Sequence, residues 1–364
     1  MDNSKLSTFE AIAGVLTVTL AHSVLTLPKA IMSEAGSSVL LNIAYISIIA
    51  FGLCLIVYKL LSKFPSLDII DISKFLGGKH LQRIAGFATI AYIIFTSSVL
   101  LRIFGNCLKI VYYPMTDLIF IISIFVIAIP IACNLKENSV FKANLAIVPI
   151  VMFSVAFLFI ANSKYFHLEN IYPIFGNGMN ETFGIGITNL FAFGGIAAIY
   201  FLPPMLKNKK QLKNVAIVSV IISAVYFLLT IATILFMFSP TAFTNELMPL
   251  YSAVRYIEFG TFFERQDSLF LLIWILSFFC YLGIVFNFCT NIFKKVTNLK
   301  NDGLVSYQFA LIALGCSLLP KNESVTNFLE GTVYRYVFLI LPVVIYLIIL
   351  VLATLKNNKL KAKR

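Results

Sequence analysis

Charge is what this chain has least of. Only 12% of its 364 residues are Asp, Glu, Lys or Arg, and 16 of those are acidic. A soluble domain carries charge on about a quarter of its residues, so a soluble fold is excluded. Histidine is equally scarce, with three in the chain. The six cysteines (Cys54, Cys107, Cys133, Cys280, Cys289 and Cys316) form no CxxC pair, and none lies beside a histidine. There is no HExxH and no phosphate-binding glycine loop. These gaps argue against a structural zinc site, a disulfide framework and the common hydrolase or nucleotide sites. The expectation is a protein that is not an enzyme, with no cofactor, no metal and no catalytic residue. The segments between apolar runs are short, so one polytopic membrane domain is expected over residues 1–364. The N-terminus lacks a basic flank and a small-residue cleavage site, so the first span is expected to be retained.

What fills the chain is hydrocarbon: 60% of residues are hydrophobic and the mean hydropathy is +0.93. Ten apolar segments can be drawn, at about 8–32, 37–61, 84–112, 116–133, 144–161, 182–205, 214–238, 268–292, 304–320 and 334–355. Each is near the ~20 residues that a helix needs to cross a bilayer. With the N-terminus in the cytoplasm, twenty of the 28 basic residues fall on the inner side. Six fall outside: Lys29, Lys164, Arg255, Arg265, Lys321 and Arg335. That asymmetry places both termini inside. It also accounts for the net charge of +12 as topology and attraction to anionic lipid, without a nucleic-acid partner. The inner stretch 64–86 reads as a short amphipathic link, and 239–267 as a helix lying along the outer face.

Two spans carry helix breakers. "NLFAFGGIAAIYFLPP" (189–204) puts Gly194 and Gly195 inside the sixth segment and two prolines after them. "TVTLAHSVLTLPKA" (17–30) puts the small residues Ala21 and Ser23 around His22, with Pro28 following. In five-plus-five halves these two spans correspond, and paired interruptions of that kind point to a binding site near the midplane. Free N–H groups at about Ser23, Val24 and Leu25 suit a carboxylate. Free carbonyls at about Phe191, Ala192 and Phe193 suit an ammonium or a metal ion. The competing reading is that Gly194 and Gly195 only let helices pack closely.

Other polar residues divide the same way. Ser7 and Glu10 have capping-box spacing; Glu10 is read as a cap, with a coupling carboxylate as the alternative. His22 is either a ligand contact or a packed histidine. Arg102 lies past the middle of the third span, where a charge is functional or its stem snorkels outward. Lys109 is nearer the surface and reads as snorkelling. Ser98 and Asn287 are candidates for lining the pocket. Glu264 and Asp267 complement the dipole at the start of span 8, and pairing with Arg265 or Arg255 would pin the outer helix.

These motifs carry a resemblance. "SVLTLP" (23–28), "LENIYPIFGNG" (168–178) and "MPLYSAVRYIEFGTFFERQDSLFLLIWIL" (248–276) resemble the B-subunit family of spore germinant receptors. These are the endospore germination permeases of the amino acid–polyamine–organocation superfamily. Pro249, Arg255, Glu264, Arg265, Asp267 and Trp274 fall at the family's positions and are expected to serve structure or partner contact. The resemblance implies an all-α membrane fold of ten helices in a LeuT-like inverted repeat. It implies residence in the inner spore membrane, A and C subunits as partners, and a small germinant, commonly an amino acid. The family's glycines beside the first-span break are here Ala21 and Ser23. Scarce ionisable residues within the spans favour a sensor over a proton-coupled permease. Sodium-coupled transport and a water or ion conduit remain the alternatives.

Overall fold

A computed structural model of the chain describes all residues except 1–4, 22–25, 136–137, 240–241, 243–245, 247, 258–265, 300–302 and 363–364. Its described residues form helices and loops, with no strand among them. The first helix, α1 (Thr8–Leu20), starts on the capping box read from the sequence. Ser7 N–H donates to Glu10 Oε2 at 2.8 Å, and Glu10 N–H donates to Ser7 Oγ at 3.2 Å. It stops at Ala21, whose N–H bonds to the Thr17 carbonyl. The chain re-enters a helix at α2 (Leu27–Ala35), with Pro28 in the first turn, a position where its missing N–H costs nothing. The interruption expected in the first span falls on residues 22–25, which lie outside the described residues. Gly36, at φ +61°, turns the chain into α3 (Val39–Leu61).

α4 (Ile69–Val111) begins at Asp68, whose Oδ1 accepts the Ile70 and Asp71 N–H groups at 3.0 and 2.9 Å. It bends at Gly77 and Gly78, where φ is −128° and +70°. The helical stretch before the bend lies within the expected amphipathic link, 64–86, and the stretch after it carries the third span. α5 (Leu118–Asn134) and α6 (Ser139–Ala161) follow. Residues 180–205 wind irregularly: a π turn at Asn180–Gly184, 3-10 turns at Ile185–Phe193, the short α7 (Ile196–Ile199) and a 3-10 turn at Pro203–Met205. Then come α8 (Lys209–Met237), α9 (Pro249–Arg255), α10 (Gln266–Thr297) and α11 (Gly303–Leu318). The last rod is α12 (Glu323–Phe328), a π turn at Leu329–Tyr334, α13 (Arg335–Phe338), a second π turn at Leu339–Ile345, and α14 (Tyr346–Ala362). It begins well before residue 334, where hydropathy alone starts the segment.

Among the described residues, six stretches are long and apolar enough to cross a membrane: Leu27–Leu61, Ile69–Val111, Ser139–Ala161, Lys209–Met237, Asp267–Thr297 and Glu323–Leu360. Three shorter apolar helices join them, at Thr8–Leu20, Leu118–Asn134 and Leu304–Leu318. Hydrocarbon also covers the outside. On α5, Phe120, Ile124, Ile127 and Ile131 form an exposed stripe at helical spacing. On α6, Ile150, Phe153, Phe157 and Ile160 form another. Such stripes would aggregate in water and are at home in lipid. The protein is a multi-pass membrane protein.

α1 is the hub, buried along most of its length and packed by α6, α8 and α10. Hydrogen bonds between loops define two faces. On the first, Leu6 N–H reaches the Met205 carbonyl at 2.9 Å, and Ile69 N–H reaches the Tyr200 carbonyl at 3.2 Å. On the second, the Asn177 amide holds the Glu34 carbonyl at 2.8 Å, and Asn162 holds the Ala253 carbonyl at 3.2 Å.

Candidate functional site

The irregular segment 180–205 is pressed against α1. A Cβ on Gly195 would lie 1.8 Å from Thr19 Oγ1 and 2.6 Å from the Val15 carbonyl, so only glycine permits this approach. Gly194 and Gly195 keep right-handed helical angles, φ −54°, ψ −25° and φ −60°, ψ −18°. The expected break is thus a tightening into 3-10 turns around the pair, with no extended gap at the glycines. Weakened helical bonding needs outside partners in a membrane, and α3 supplies them. Asn42 Nδ2 donates to the Thr182 and Gly186 carbonyls at 2.7 and 3.0 Å, and Asn42 Oδ1 accepts from Asn189 at 3.0 Å.

Beside Gly194 lies a cavity of about 40 Å³ between α1, α4, the 180–205 segment, α10 and the last rod. Its polar lining is tyrosine and threonine: Tyr92, Thr96, Tyr281, Tyr334 and Tyr346. Their hydroxyls form local pairs: Tyr346 with Thr89 at 2.6 Å, Tyr281 with Ser97 at 3.5 Å, and Tyr92 with Tyr334. At roughly 10–15 Å³ per water, the cavity has room for a few water molecules.

Charged contacts link helices on both faces. On the first, Lys295 of α10 pairs with Asp68 and, at 2.6 Å, with Asp71 of α4. On the second, Arg335 of the last rod pairs with Glu34 of α2. Beside this second pair is a larger cavity of about 270 Å³, lined by Thr26, Glu34, Glu330 and Arg335 among others.

A small cavity between interrupted helices, with an ion pair on each face, is a transporter-like arrangement, and the comparisons agree. The profile of the family described as "Spore germination protein" matches residues 5–326. The chain belongs to the spore germination protein family. It is 23% identical over 340 residues to spore germination protein B2 of Bacillus subtilis, covering 92% of both chains. It is 25% identical over 324 residues to spore germination protein A2 of the same organism, covering 84% of this chain and 86% of that one. Among solved structures it is similar to a Na+-coupled sialic acid symporter in a substrate-bound outward-open state. There the TM-score is 0.61 at 11% identity, over 94% of this chain and 80% of the symporter. A manganese transporter of Eremococcus coleocola gives 0.51 at 13% identity, over 97% and 78%. These likenesses show the transporter fold.

Within this family member the sequence-predicted residues separate. Gly194 lines the small cavity. Phe191, Ala192 and Phe193 are buried one turn away; Phe191 packs edge-on against Tyr334 at 5.8 Å, and Phe193 against Phe227 at 5.3 Å. Ala21 caps α1, while His22, Ser23, Val24 and Leu25 lie outside the described residues. Ser98 instead turns to α11, donating to the Ala313 carbonyl at 3.2 Å. Asn287 is buried but accepts from Asn291 on its own helix at 2.9 Å. Arg102 lines neither cavity described above, and its Nε is buried without a hydrogen-bond partner.

The face-two residues also resolve. Asp267 accepts from Tyr251 of α9 at 2.8 Å, so among the described residues a tyrosine joins α9 to α10. Arg255 is exposed. Burial and the Asp267 carboxylate raise the Tyr251 phenol above its usual range, which keeps it a donor. Pro249 starts α9 and Trp274 is buried against Phe270. Glu264 and Arg265 lie outside the described residues.

Sequence reasoning missed the tyrosines and the group Thr26, Glu34, Glu330 and Arg335. The available signal was two opposite charges five residues apart at the start of the last rod. In an α-helix that spacing points the side chains apart; the i→i+5 bonding of a π turn brings them toward one side.

Proposed function

We propose that the chain is the membrane-embedded germinant-sensing subunit of a spore germination receptor. In this reading ten spans form a five-plus-five inverted repeat in the inner spore membrane, with both termini cytoplasmic. The face carrying Lys295 and Asp68 is then the inner face, in keeping with the basic-residue asymmetry. A small germinant, an amino acid by preference, binds between the first, third, sixth and eighth spans. Its carboxylate goes to the first-span break around His22–Leu25, and its ammonium to the carbonyls of Phe191–Phe193. A and C subunits read the result.

The observation that carries this reading is the cavity beside Gly194, bounded by the irregular sixth segment. At about 40 Å³ it is smaller than a ligand site, so occupation requires the surrounding helices to repack. A ligand that binds only the repacked state shifts the population toward it, which is what a sensor needs. Fold neighbours that are transporters support a second reading, an amino acid permease. Gradient-driven accumulation of labelled amino acids by the reconstituted chain alone separates the two.

The test of the site is Gly194→Leu, which fills the cavity. Spores carrying it are expected to lose their response to germinant while the protein stays at normal level in the membrane. Normal sensitivity at normal level rejects the pocket.

A further inference from the structure

The cavity beside the Glu34–Arg335 pair is chemically unlike the tyrosine-lined one. Glu330 is 1% exposed and Arg335 4% exposed, and both line it. Glu330 Oε2 accepts from Thr26 Oγ1, while Oε1 is buried with no partner. Arg335 Nη1 serves Glu34 and, at 3.3 Å, Thr188 Oγ1, while Nε is buried with no partner. The guanidinium also lies over the Phe191 ring at 5.0 Å, which fixes its plane. Leaving a buried carboxylate oxygen and a buried guanidinium N–H both without a protein partner is expensive. Glu34 Oε2 is a third buried atom without a partner, so residues lining this one cavity leave acceptors open on Glu330 and Glu34 and a donor open on Arg335. The cavity's volume of about 270 Å³ is near the lower end for small-molecule sites, about 300 Å³.

We infer that this cavity is a second, outer subsite for a small zwitterion. The ligand's ammonium is received by Glu330 and its carboxylate by Arg335. This rests on the reading that the ligand is amino-acid-like, and it adds a docking position before the central cavity. A carboxylate at Arg335 competes with Glu34 for the same guanidinium, and Glu34 sits on α2 while Arg335 sits on the last rod. Docking therefore loosens the clamp that joins those two elements. Phe191 lies under Arg335 and against Tyr334, which lines the central cavity. The released movement is thus delivered next to the inner site. A ligand bearing only one of the two charges leaves one vacancy unfilled and docks weakly.

The test uses the full-length chain in lipid nanodiscs with Ser33→Cys at the exposed rim of the cavity. Its modification by a methanethiosulfonate reagent is followed by mass spectrometry at that position. The probes are the standard L-amino acids, tried singly, with propionate and propylamine as single-charge controls. At least one amino acid is expected to protect Ser33→Cys, and neither control should match it at equal concentration. Glu330→Gln and Arg335→Gln should each weaken protection by about ten- to a hundredfold, the size of a lost charge-assisted hydrogen bond. Arg335→Lys should keep part of it, since charge remains without the planar fork. A single symmetric size-exclusion peak, eluting with the unsubstituted protein, verifies that each variant is folded.

Protection should also persist in Gly194→Leu, which blocks only the inner cavity. The inference is overturned if no amino acid protects, or if protection survives both glutamine substitutions. Loss of protection in Gly194→Leu also overturns it, leaving one central site and the proposed function intact. Protection that persists in Gly194→Leu together with a normal germination response supports the outer subsite and rejects the central one.

Discussion

Gly195 is where the sixth segment and α1 come into contact without a side chain between them. Alanine there would drive its Cβ into Thr19 Oγ1 and the Val15 carbonyl. Overpacking of this kind costs about 1–3 kcal/mol. Gly195→Ala is expected to lower the thermal midpoint of the purified chain, and Thr19→Ala should restore only part of the loss because the backbone clash remains. An unchanged midpoint would mean that the two elements are not this close. The glycine pair was legible in the sequence, since two breakers in an apolar span demand a reason. Its consequence was not: Gly194 faces a cavity and Gly195 faces a neighbouring helix, and no pattern distinguishes adjacent glycines. The close-packing reading holds at Gly195, and the site proposed above rests on Gly194. Glu330 and Arg335 stayed hidden for a related cause. Hydropathy begins the last span at residue 334, so Glu330 falls outside it and Arg335, at its very start, counts with the outer basic residues.

The 180–205 segment owes its irregular path to α3 as much as to its own breakers. Asn42 reaches two of its carbonyls and one of its side chains. Asn42→Ala withdraws both donations from carbonyls at a fully buried position. We expect a loss of about 1–3 kcal/mol, together with faster amide hydrogen exchange across 180–193. Unchanged exchange there would show that the segment holds its shape alone. Elements whose pattern is plain apolar length, such as α3, α6 and α8, were placed well from the sequence, because the bilayer sets both their length and their composition. The last rod was drawn short at its start. Its extra turns carry Glu323 and Glu330, which hydropathy rejects. The π turn at Leu329–Tyr334 has no sequence signature at all.

Taken whole, the molecule has a polar but nearly filled centre, with an ion pair joining helices on each face. Lys295 ties α4 to α10 at one face and Arg335 ties α2 to the last rod at the other, while α1 runs between them. That arrangement suits a device resting in a closed state and waiting for a ligand to favour another packing. The hydrocarbon stripes on α5 and α6 place it in lipid, and the family match places it among spore germination proteins. The central claim is that an amino-acid-like ligand enters between the first and sixth spans beside Gly194. An experimental map of the full chain in nanodiscs, saturated with a protecting amino acid, tests this most directly. The account predicts ligand density bounded by Gly194, Tyr92 and Tyr281, in a cavity larger than the closed one. A ligand-saturated map with α1 and the 180–205 segment packed solid, and density elsewhere or nowhere, would contradict it.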